Sequence, residues 1–204
     1  MSMFGDTQMK LSKSKRQKPN VIICCSGGID STALIHYYLN EGCQVNCVHF
    51  DYGQPALKAE KRTLRGIEKH FEIKIESLAL RPKPSYASNG ECYGRNALFI
   101  LSAISLMKQP KTLISLGIHS NSIYYDSSEV FVQQTQEILN GYFGGLARFD
   151  VPFLNFTKRN IVEYCIKNEI PLELTRSCDQ SSGKPCGKCL SCKERARVLN
   201  ELNQ

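Results

Sequence analysis

Short apolar runs alternate with amphipathic stretches from residue 20 to about residue 170 of this chain of 204 residues. Apolar runs of this length, bounded by turn residues, are typical of strands that are buried on both faces. Stretches in which apolar residues recur every three or four positions predict helices between them. The alternation therefore predicts an α/β fold, Rossmann-like, in which helices cover both faces of one parallel sheet.

The four predicted strands read NVIICC, QVNCVHF, EIKIESL and TLISLGI. Helices are predicted over 31–40, 56–70, 95–108, 127–140, 157–168 and 190–202, and the Pro-, Ser- and Gly-rich stretch 81–93 is predicted to be a loop. The ligand of such a sheet is expected beyond the carboxyl ends of its strands. The segments CCSGGIDS and HFDYGQ both follow strand ends of this kind.

Composition and charge divide the chain into three predicted parts. Residues 1–19 have no apolar signal region and are expected to be a flexible basic leader, with a mitochondrial presequence as the alternative. Residues 20–172 are predicted to form one α/β domain, and residues 173–204 a cysteine-rich C-terminal segment. The net charge is +7, and without the leader the remainder is mildly basic, which is compatible with an anionic ligand.

The glycine loop, residues 26–32 (SGGIDST), joins the first predicted strand to the first predicted helix. It has neither the Lys that follows the glycines of a Walker loop nor the G-x-G-x-x-G pattern of a dinucleotide-binding loop. Ser26, Gly27 and Gly28 can expose successive backbone N–H groups, and the following helix N-terminus adds a positive field. The hydroxyl groups of Ser26, Ser31 and Thr32 are possible further donors, so the loop is predicted to bind phosphate.

Asp30 lies inside this predicted phosphate site, where a carboxylate would repel phosphate. It can cap the helix N-terminus, which would stabilise the helix by about 1 kcal/mol. It can instead share a Mg²⁺ ion with the phosphates, because the metal turns the repulsion into a bridge. We favour the second interpretation and leave the first open.

Four of the ten cysteines fall close together, at Cys178, Cys186, Cys189 and Cys192. Without a secretory signal the cysteines are expected to be thiols or metal ligands. The spacing suits a closed tetrahedral Cys₄ zinc site of structural type, and an iron–sulfur cluster is the alternative. The other six cysteines are predicted to be small core residues.

SGGIDS after an apolar strand resembles the PP-loop of the ATP pyrophosphatases, which are HUP-type α/β enzymes that cleave ATP between its α and β phosphates. HFDYGQ at 49–54, GRN at 94–96, LNFTKRNIV at 154–162 and the tail TRSCDQSSGKPCGKCLSCKERA resemble the 7-cyano-7-deazaguanine synthase (QueC) family. The resemblance runs from about residue 20 to residue 200. It implies ATP, Mg²⁺ and Zn²⁺ as cofactors and the four cysteines as zinc ligands.

The resemblance also implies roles for individual residues. The expected nucleotide-binding residues are Ser26, Gly27, Gly28, Ile29, Asp30, Ser31, Thr32, His49, Phe50, Asp51, Tyr52, Gly53 and Gln54. The expected substrate-binding residues are Arg95, Asn96, Tyr124, Tyr125 and Asp126, and the expected catalytic residues are Asp30, Arg95 and Lys158. Simpler roles stay open for three of them: Asp51 as a helix cap, Arg95 as part of a structural ion pair, and Lys158 as a solvated surface lysine.

The implied activity is ATP-dependent adenylation of a 7-deazaguanine carboxylate, followed by attack of ammonia or another amine. Residues 119–130 (HSNSIYYDSSEV) are shorter than the stretch typical of the family and lack its first acid, its Cys and its Arg. This difference keeps a second hypothesis open, an enzyme of a defence system that joins the deazaguanine to a protein or nucleotide amine. A PP-loop tRNA thiolase and a zinc-stabilised nucleic-acid binder are further alternatives.

We expect the protein to be a cytoplasmic enzyme. No apolar run reaches the ~18 residues of a membrane span, so no membrane partner is expected. Members of the resembled family often dimerise, which implies a homodimer, but no stretch of this sequence predicts the interface.

Overall fold

A five-stranded, all-parallel sheet with the strand order β3-β2-β1-β4-β5 organises the chain. The structure is a computed structural model, and it describes residues 18–80, 85–87, 91–120, 124–181 and 183–202. The strands are β1 Asn20–Cys24, β2 Gln44–Asp51, β3 Ile75–Ala79, β4 Thr112–Ser115 and β5 Arg148–Phe149. The four predicted strands and the α/β fold class are thereby confirmed. The sequence pattern missed β5, because two paired residues leave no periodic signal.

Six α-helices connect or flank the strands in the described ranges. They are α1 Ile29–Asn40, α2 Leu57–Phe71, α3 Arg95–Ser105, α4 Glu129–Phe143, α5 Lys158–Lys167 and α6 Leu190–Leu202, with 3₁₀ turns at Tyr125–Ser127 and Leu172–Leu174. Each corresponds to a predicted helix, but α1 begins two residues earlier than expected, with Gly28 as its N-cap. Asp30 therefore lies in the first turn of α1 and is not its N-cap, so the simple capping interpretation is wrong.

Two hydrophobic cores lie on opposite faces of the sheet, and β1 contributes to both. Val21 and Ile23 pack with α1, α2, α5 and α6 on one face, whereas Ile22 and Cys24 pack with α3 and α4 on the other. Because both faces of β1 are covered, the strand is apolar from Val21 to Cys24, and its first residue, Asn20, is buried with its side chain hydrogen-bonded to Thr112 and Asn46. Val198 of α6 belongs to the first core, so the C-terminal helix is anchored to the α/β layers.

Some predictions about domains lie beyond what the structure tests. Residues 1–17 of the predicted leader lie outside the described residues. The division at residue 172 stays a prediction. Among the helices of the described ranges, none combines the length and apolar character that crossing a membrane requires.

Candidate functional site

The glycine loop lies at the carboxyl end of the central strand β1. Gly27 has a φ of +82°, and a Cβ atom at this residue would lie 2.9 Å from Cγ2 of Thr63 on α2. Both observations require glycine here, the first because other residues rarely adopt this backbone conformation and the second for lack of space. The predicted turn between strand and helix is thus formed with α2 packed closely against it.

The hydroxyl groups of the loop are used partly within the loop itself. Thr32 Oγ1 donates to the carbonyl oxygen of Gly28 at 2.8 Å, and Ser31 Oγ donates to the same oxygen at 3.2 Å. The Ser26 hydroxyl, on an exposed residue, accepts a hydrogen bond of 3.3 Å from the N–H of Gly28. Ser26 is therefore the most accessible of the three hydroxyls, and the predicted role of all three toward phosphate stays a prediction.

Asp30 and Lys158 form an ion pair that joins the first turn of α1 to the first residue of α5. Lys158 Nζ donates to both carboxylate oxygens of Asp30, at 2.7 and 2.6 Å. The Lys158 side chain is only 10% exposed, so this cation is largely withdrawn from water and depends on its partner. The sequence points to each of these residues separately, and the structure brings them together. A solvated surface lysine is thus excluded at this position.

Thr157 determines where α5 begins and thereby where Lys158 lies. Its side chain accepts a hydrogen bond from the N–H of Asn160, and the Asn160 side chain accepts one from the N–H of Thr157. This reciprocal capping box places Lys158 at the first helical position. The positive end of the α5 dipole disfavours a lysine there, so Asp30 compensates both for that field and for burial.

Gly117, which follows β4, lies against Asp30 from the other side. A Cβ atom at this residue would lie 2.8 Å from Cβ of Asp30 and 3.4 Å from the backbone N of Ser31. Gly117 was not among the residues predicted from the sequence, although its position just beyond a parallel strand was a usable signal. The absence of a side chain here allows the N-terminus of α1 to approach β4.

We expect Gly117→Ala to destabilise the fold by about 1–3 kcal/mol, because the added methyl group overlaps with Asp30 and with backbone that cannot move freely. Thermal unfolding measures the effect. Gly141→Ala on α4 is the matched control, since a Cβ atom there meets nothing within 4 Å. This control should gain roughly 0.5–1 kcal/mol from helix propensity. Equal melting temperatures for the two variants would contradict the steric interpretation.

The turn after β2, residues 51–54, is held by buried polar side chains. Gln54 Nε2 donates to the Phe50 carbonyl at 2.9 Å and to Glu60 Oε2 at 2.7 Å, and its Oε1 accepts from the N–H of Tyr52 at 3.0 Å. His49 Nε2 lies 2.9 Å from the same Glu60 oxygen. Buried Gln54 and His49 therefore shape the turn, and the exposed Gly53, with a φ of +82°, reverses the chain.

Asp51 and His49, near the end of β2, have contacts that the sequence did not predict. Asp51 pairs with Lys61 of α2 at 3.1 Å. It is not a helix cap, because the N-cap of α2 is Ala56. His49 Nδ1 is buried and has no hydrogen-bond partner among the described residues. The predicted role of residues 49–54 in nucleotide binding stays a prediction.

A second polar cluster joins α3 to the 3₁₀ turn Tyr125–Ser127. The backbone N–H and the side-chain amide of Asn96 donate to Asp126, to its Oδ2 at 3.2 Å and to its carbonyl oxygen at 2.9 Å. Arg95 Nε donates to Asn96 Oδ1 at 3.2 Å. Burial raises the pKa of the nearby Tyr52 to about 12, and the positive charge of Arg95 opposes the rise. The structure thus gathers Tyr52, Arg95, Asn96 and Asp126.

The two tyrosines predicted beside Asp126 do not behave alike. Tyr125 is exposed, and its hydroxyl donates to Gln134 of α4. Its ring packs at the edge of Phe131, also on α4. Tyr125 therefore contacts α4, whereas Asp126 is buried against α3, and Tyr124 is half-buried at the start of this turn.

The four clustered cysteines converge, as their spacing predicts. Their Sγ atoms all lie within 4.8 Å of one another. A tetrahedral zinc ion with Zn–S bonds of about 2.3 Å would hold its sulfurs about 3.8 Å apart, so the sulfur set fits one such ion. Backbone N–H groups of Cys189 and Lys188 donate to Cys186 Sγ and lower the pKa of that thiol to about 6, which favours the ligand form.

The sequence model described as "Queuosine biosynthesis protein QueC" matches residues 20–90 and 82–203. The chain belongs to the QueC family. The family resemblance inferred from SGGIDS, HFDYGQ and the cysteine tail is therefore confirmed.

Relatives within the QueC family match along most of their length. A 7-cyano-7-deazaguanine synthase of Prochlorococcus marinus (strain NATL2A) is 31% identical over 211 residues, covering 90% of this chain and 94% of that protein. The synthase of Campylobacter jejuni (strain RM1221) is 32% identical over 202 residues, covering 84% and 89%. Among solved structures, a U34-tRNA thiolase of Methanococcus maripaludis is 13% identical with a TM-score of 0.49, covering 92% of this chain and 66% of that chain.

Proposed function

We propose that this QueC-family chain converts 7-carboxy-7-deazaguanine, ammonia and ATP to 7-cyano-7-deazaguanine. The observation that carries the proposal is the match to relatives named 7-cyano-7-deazaguanine synthase across 90% of this chain and 94% of the relative. The glycine loop and the adjacent ion pair of Asp30 with Lys158 support the part of the proposal that concerns ATP. The enzyme is thus an ATP-dependent ligase that forms a carbon–nitrogen bond.

The first step is adenylation of the carboxylate. Backbone N–H groups of the glycine loop would hold the β and γ phosphates of ATP, with the α1 N-terminus contributing its positive field. A carboxylate oxygen of the substrate attacks the α phosphorus, and the bond from that phosphorus to the pyrophosphate oxygen breaks. No nucleophilic side chain is required, because positioning and charge neutralisation supply the rate enhancement.

Asp30 and Lys158 supply opposite charges to this step. A carboxylate offers about four lone-pair positions, and Lys158 uses only two of those of Asp30. Asp30 therefore retains capacity for Mg²⁺, which would offset the charge of the leaving pyrophosphate. Lys158 would neutralise negative charge that develops on the phosphates while keeping Asp30 in place.

The second part of the reaction exchanges oxygen for nitrogen. Ammonia attacks the acyl carbon of the adenylate, and AMP leaves with the first carboxylate oxygen, which gives an amide. A second ATP adenylates the amide oxygen with release of pyrophosphate. Loss of this second AMP, together with the remaining amide proton, forms the nitrile. Both carboxylate oxygens therefore end in AMP, one in each molecule.

The deazaguanine would lie against the cluster of Tyr52, Arg95, Asn96 and Asp126. Arg95 can bind a carboxylate through two parallel hydrogen bonds, which suits the group that is adenylated. Asp126 is held by Asn96, which fixes its carboxylate as an acceptor for N–H groups of the base. The exposed Tyr125 lies over α4, so we assign it a smaller part in substrate binding than Asp126.

Zinc is the metal we propose for the cysteine cluster. In a four-iron cluster each thiolate binds a different iron, which spreads the four sulfurs over a larger tetrahedron than a single ion does. Sulfur atoms that all lie within 4.8 Å of one another support the single ion. This favours a structural zinc site over the iron–sulfur centre that a tRNA thiolase would carry. A homodimer and a cytoplasmic location stay predictions.

The proposed function is tested with substrate that carries ¹⁸O in both carboxylate oxygens. With ammonium present, we expect mass spectrometry to find 7-cyano-7-deazaguanine, AMP that bears one ¹⁸O atom, and unlabelled pyrophosphate. Without ammonium, neither the nitrile nor labelled AMP should form. If the ¹⁸O were found in inorganic phosphate and not in AMP, adenylation of the carboxylate would be contradicted. Labelled AMP without any nitrile, at saturating ammonium, would instead favour an enzyme that joins the deazaguanine to another amine.

A further inference from the structure

A segment of the C-terminal part, which we call the strap (residues 172–178), runs across the glycine loop. The backbone N–H of Arg176 donates to the carbonyl oxygen of Gly27 at 2.9 Å. A Cβ atom at Gly28 would lie 3.7 Å from the carbonyl oxygen of Arg176, so the strap also lies against the second glycine. The strap is therefore in direct contact with both glycines of the loop.

The hydrogen bond to Gly27 has a consequence for the next residue. The carbonyl of Gly27 and the N–H of Gly28 belong to one planar peptide group and point in opposite directions. Fixing the carbonyl oxygen therefore fixes the direction of the Gly28 N–H. In the structure this N–H makes only a 3.3 Å contact with Ser26 Oγ, so its orientation depends on the strap more than on the loop.

Arg195 holds the turn of the strap that precedes Arg176. Its Nη1 donates to Thr175 Oγ1 at 2.7 Å, and its Nη2 donates to the carbonyl oxygen of Leu172 at 2.7 Å. Thr175 Oγ1 in turn donates to the Leu172 carbonyl at 2.6 Å. These three side-chain bonds brace the 3₁₀ turn Leu172–Leu174 and its C-cap Thr175, and Arg176 is the residue that follows Thr175.

The helix that carries Arg195 is itself fixed at two points. Cys192, three residues before Arg195 and thus one turn away, belongs to the cysteine cluster, and Val198, three residues after it, is fully buried in the core. The guanidinium group is therefore presented to the strap from a rigid support. The contacts run in one line from α6 through Arg195, Thr175 and Arg176 to Gly27.

We propose that Arg195 is a positioning residue for the glycine loop, which orients the Gly28 N–H through the strap before any anion binds. This inference rests on the proposed function in one respect, namely that the anion is the pyrophosphate part of ATP. Without Arg195 the loop becomes ordered only when ATP binds. The free energy of ordering the loop therefore weakens ATP binding and leaves the chemical step unchanged.

The test compares Arg195→Gln with Arg197→Gln. Arg197 lies on the same helix, is 62% exposed and pairs only with Glu201 in the described part of the chain, which makes it a matched control. For Arg195→Gln we expect amide hydrogen exchange of Arg176, whose N–H donates to Gly27, to accelerate about tenfold and the KM for ATP to rise about tenfold, as for loss of a charge-assisted hydrogen bond. The KM for the carboxylate substrate, kcat and the metal content should stay at wild-type values.

Two further variants separate positioning from a loss of folded protein. Arg195→Lys keeps the charge and one donor direction. Its KM for ATP should therefore lie between those of the wild type and Arg195→Gln. Thr175→Val keeps the shape of the strap and removes the hydroxyl, so it should repeat the exchange effect even if Arg195→Gln does not fold. A merely destabilised enzyme would lose kcat in proportion to unfolded protein, with both KM values unchanged, and this result would overturn the proposal.

The exchange measurement also separates this inference from the proposed function. Unchanged exchange of the Arg176 amide in both Arg195→Gln and Thr175→Val overturns the positioning role whatever the enzyme does with ATP. If the wild-type protein fails to use ATP while exchange in the variants accelerates, the proposed function fails and the link from Arg195 to the loop stands.

Discussion

Replacing Asp30 by asparagine is expected to slow pyrophosphate release from ATP by about 100- to 1,000-fold, the range seen when one charge-stabilising group is removed from an active site. The substitution keeps the size of the side chain next to Gly117 but removes its charge. Lys158, which is largely buried, then loses its only counter-ion among the described residues. A continuous assay of pyrophosphate release in the presence of the carboxylate substrate measures the effect.

The control for this prediction is Glu163→Gln, which makes the same change of carboxylate to amide on α5. Glu163 is 43% exposed and pairs with Arg159 at the surface of the helix that begins with Lys158. Its loss should leave pyrophosphate release unchanged. A rate for Asp30→Asn close to that of this control would remove Asp30 from the proposed mechanism.

Magnesium dependence distinguishes the two interactions assigned to Asp30. If the carboxylate holds Mg²⁺, Asp30→Asn should need more Mg²⁺ for half-maximal rate, whereas Lys158→Gln should lower the rate with little change in that concentration. If Asp30 serves only to hold Lys158, the two variants should show the same magnesium dependence. That second result would assign Asp30 to positioning alone.

Cys178→Ser is expected to lose the zinc ion and to lower the melting temperature by roughly 10 °C, as for a loss of several kcal/mol in a chain of this size. Zinc bound at structural sites of this type contributes to folding directly. Cys178 is buried and lies two residues after Arg176, so the strap should loosen along with the cluster. Metal analysis and thermal unfolding of the purified variant check both effects.

Cys43→Ser is the matched control for the zinc prediction. Cys43 is half-buried beside the first core and lies outside the cluster of four. This variant should keep one zinc ion per chain and a melting temperature near that of the wild type. Cys178→Ser with unchanged zinc content would contradict the ligand assignment. Iron and a visible absorption band in the wild-type protein would exclude zinc as the resident metal.

Features that depend on residues close together along the chain were predictable from the sequence. The strand β1 is apolar from Val21 to Cys24 because helices cover both of its faces, and the sequence shows this as an uninterrupted apolar run. The turn at Gly27 needs a positive φ, which only glycine adopts readily, so SGG marked the loop. The four cysteines lie within 15 residues, and a short chain with glycine and proline can bring them together without the rest of the fold.

Contacts between distant segments were not predictable in the same way. The sequence names Asp30 and Lys158, but their pairing depends on how α1 and α5 pack, 128 residues apart. The bonds of Asn96 to Asp126 and of Arg176 to Gly27 depend likewise on the order of strands in the sheet. β5 was missed because its two residues are held by β4 and not by any pattern of their own.

By itself, then, the sequence determined the α/β layers, the glycine loop and the cysteine cluster, since burial periodicity, glycine conformation and ligand spacing act over a few residues. The tertiary structure alone decided that the Asp30 carboxylate is paired with Lys158, that Gly117 makes room for it, and that a strap held by Arg195 lies on the loop. These contacts arise only when the strand order brings the carboxyl ends of β1 and β4 and the C-terminal segment to one edge.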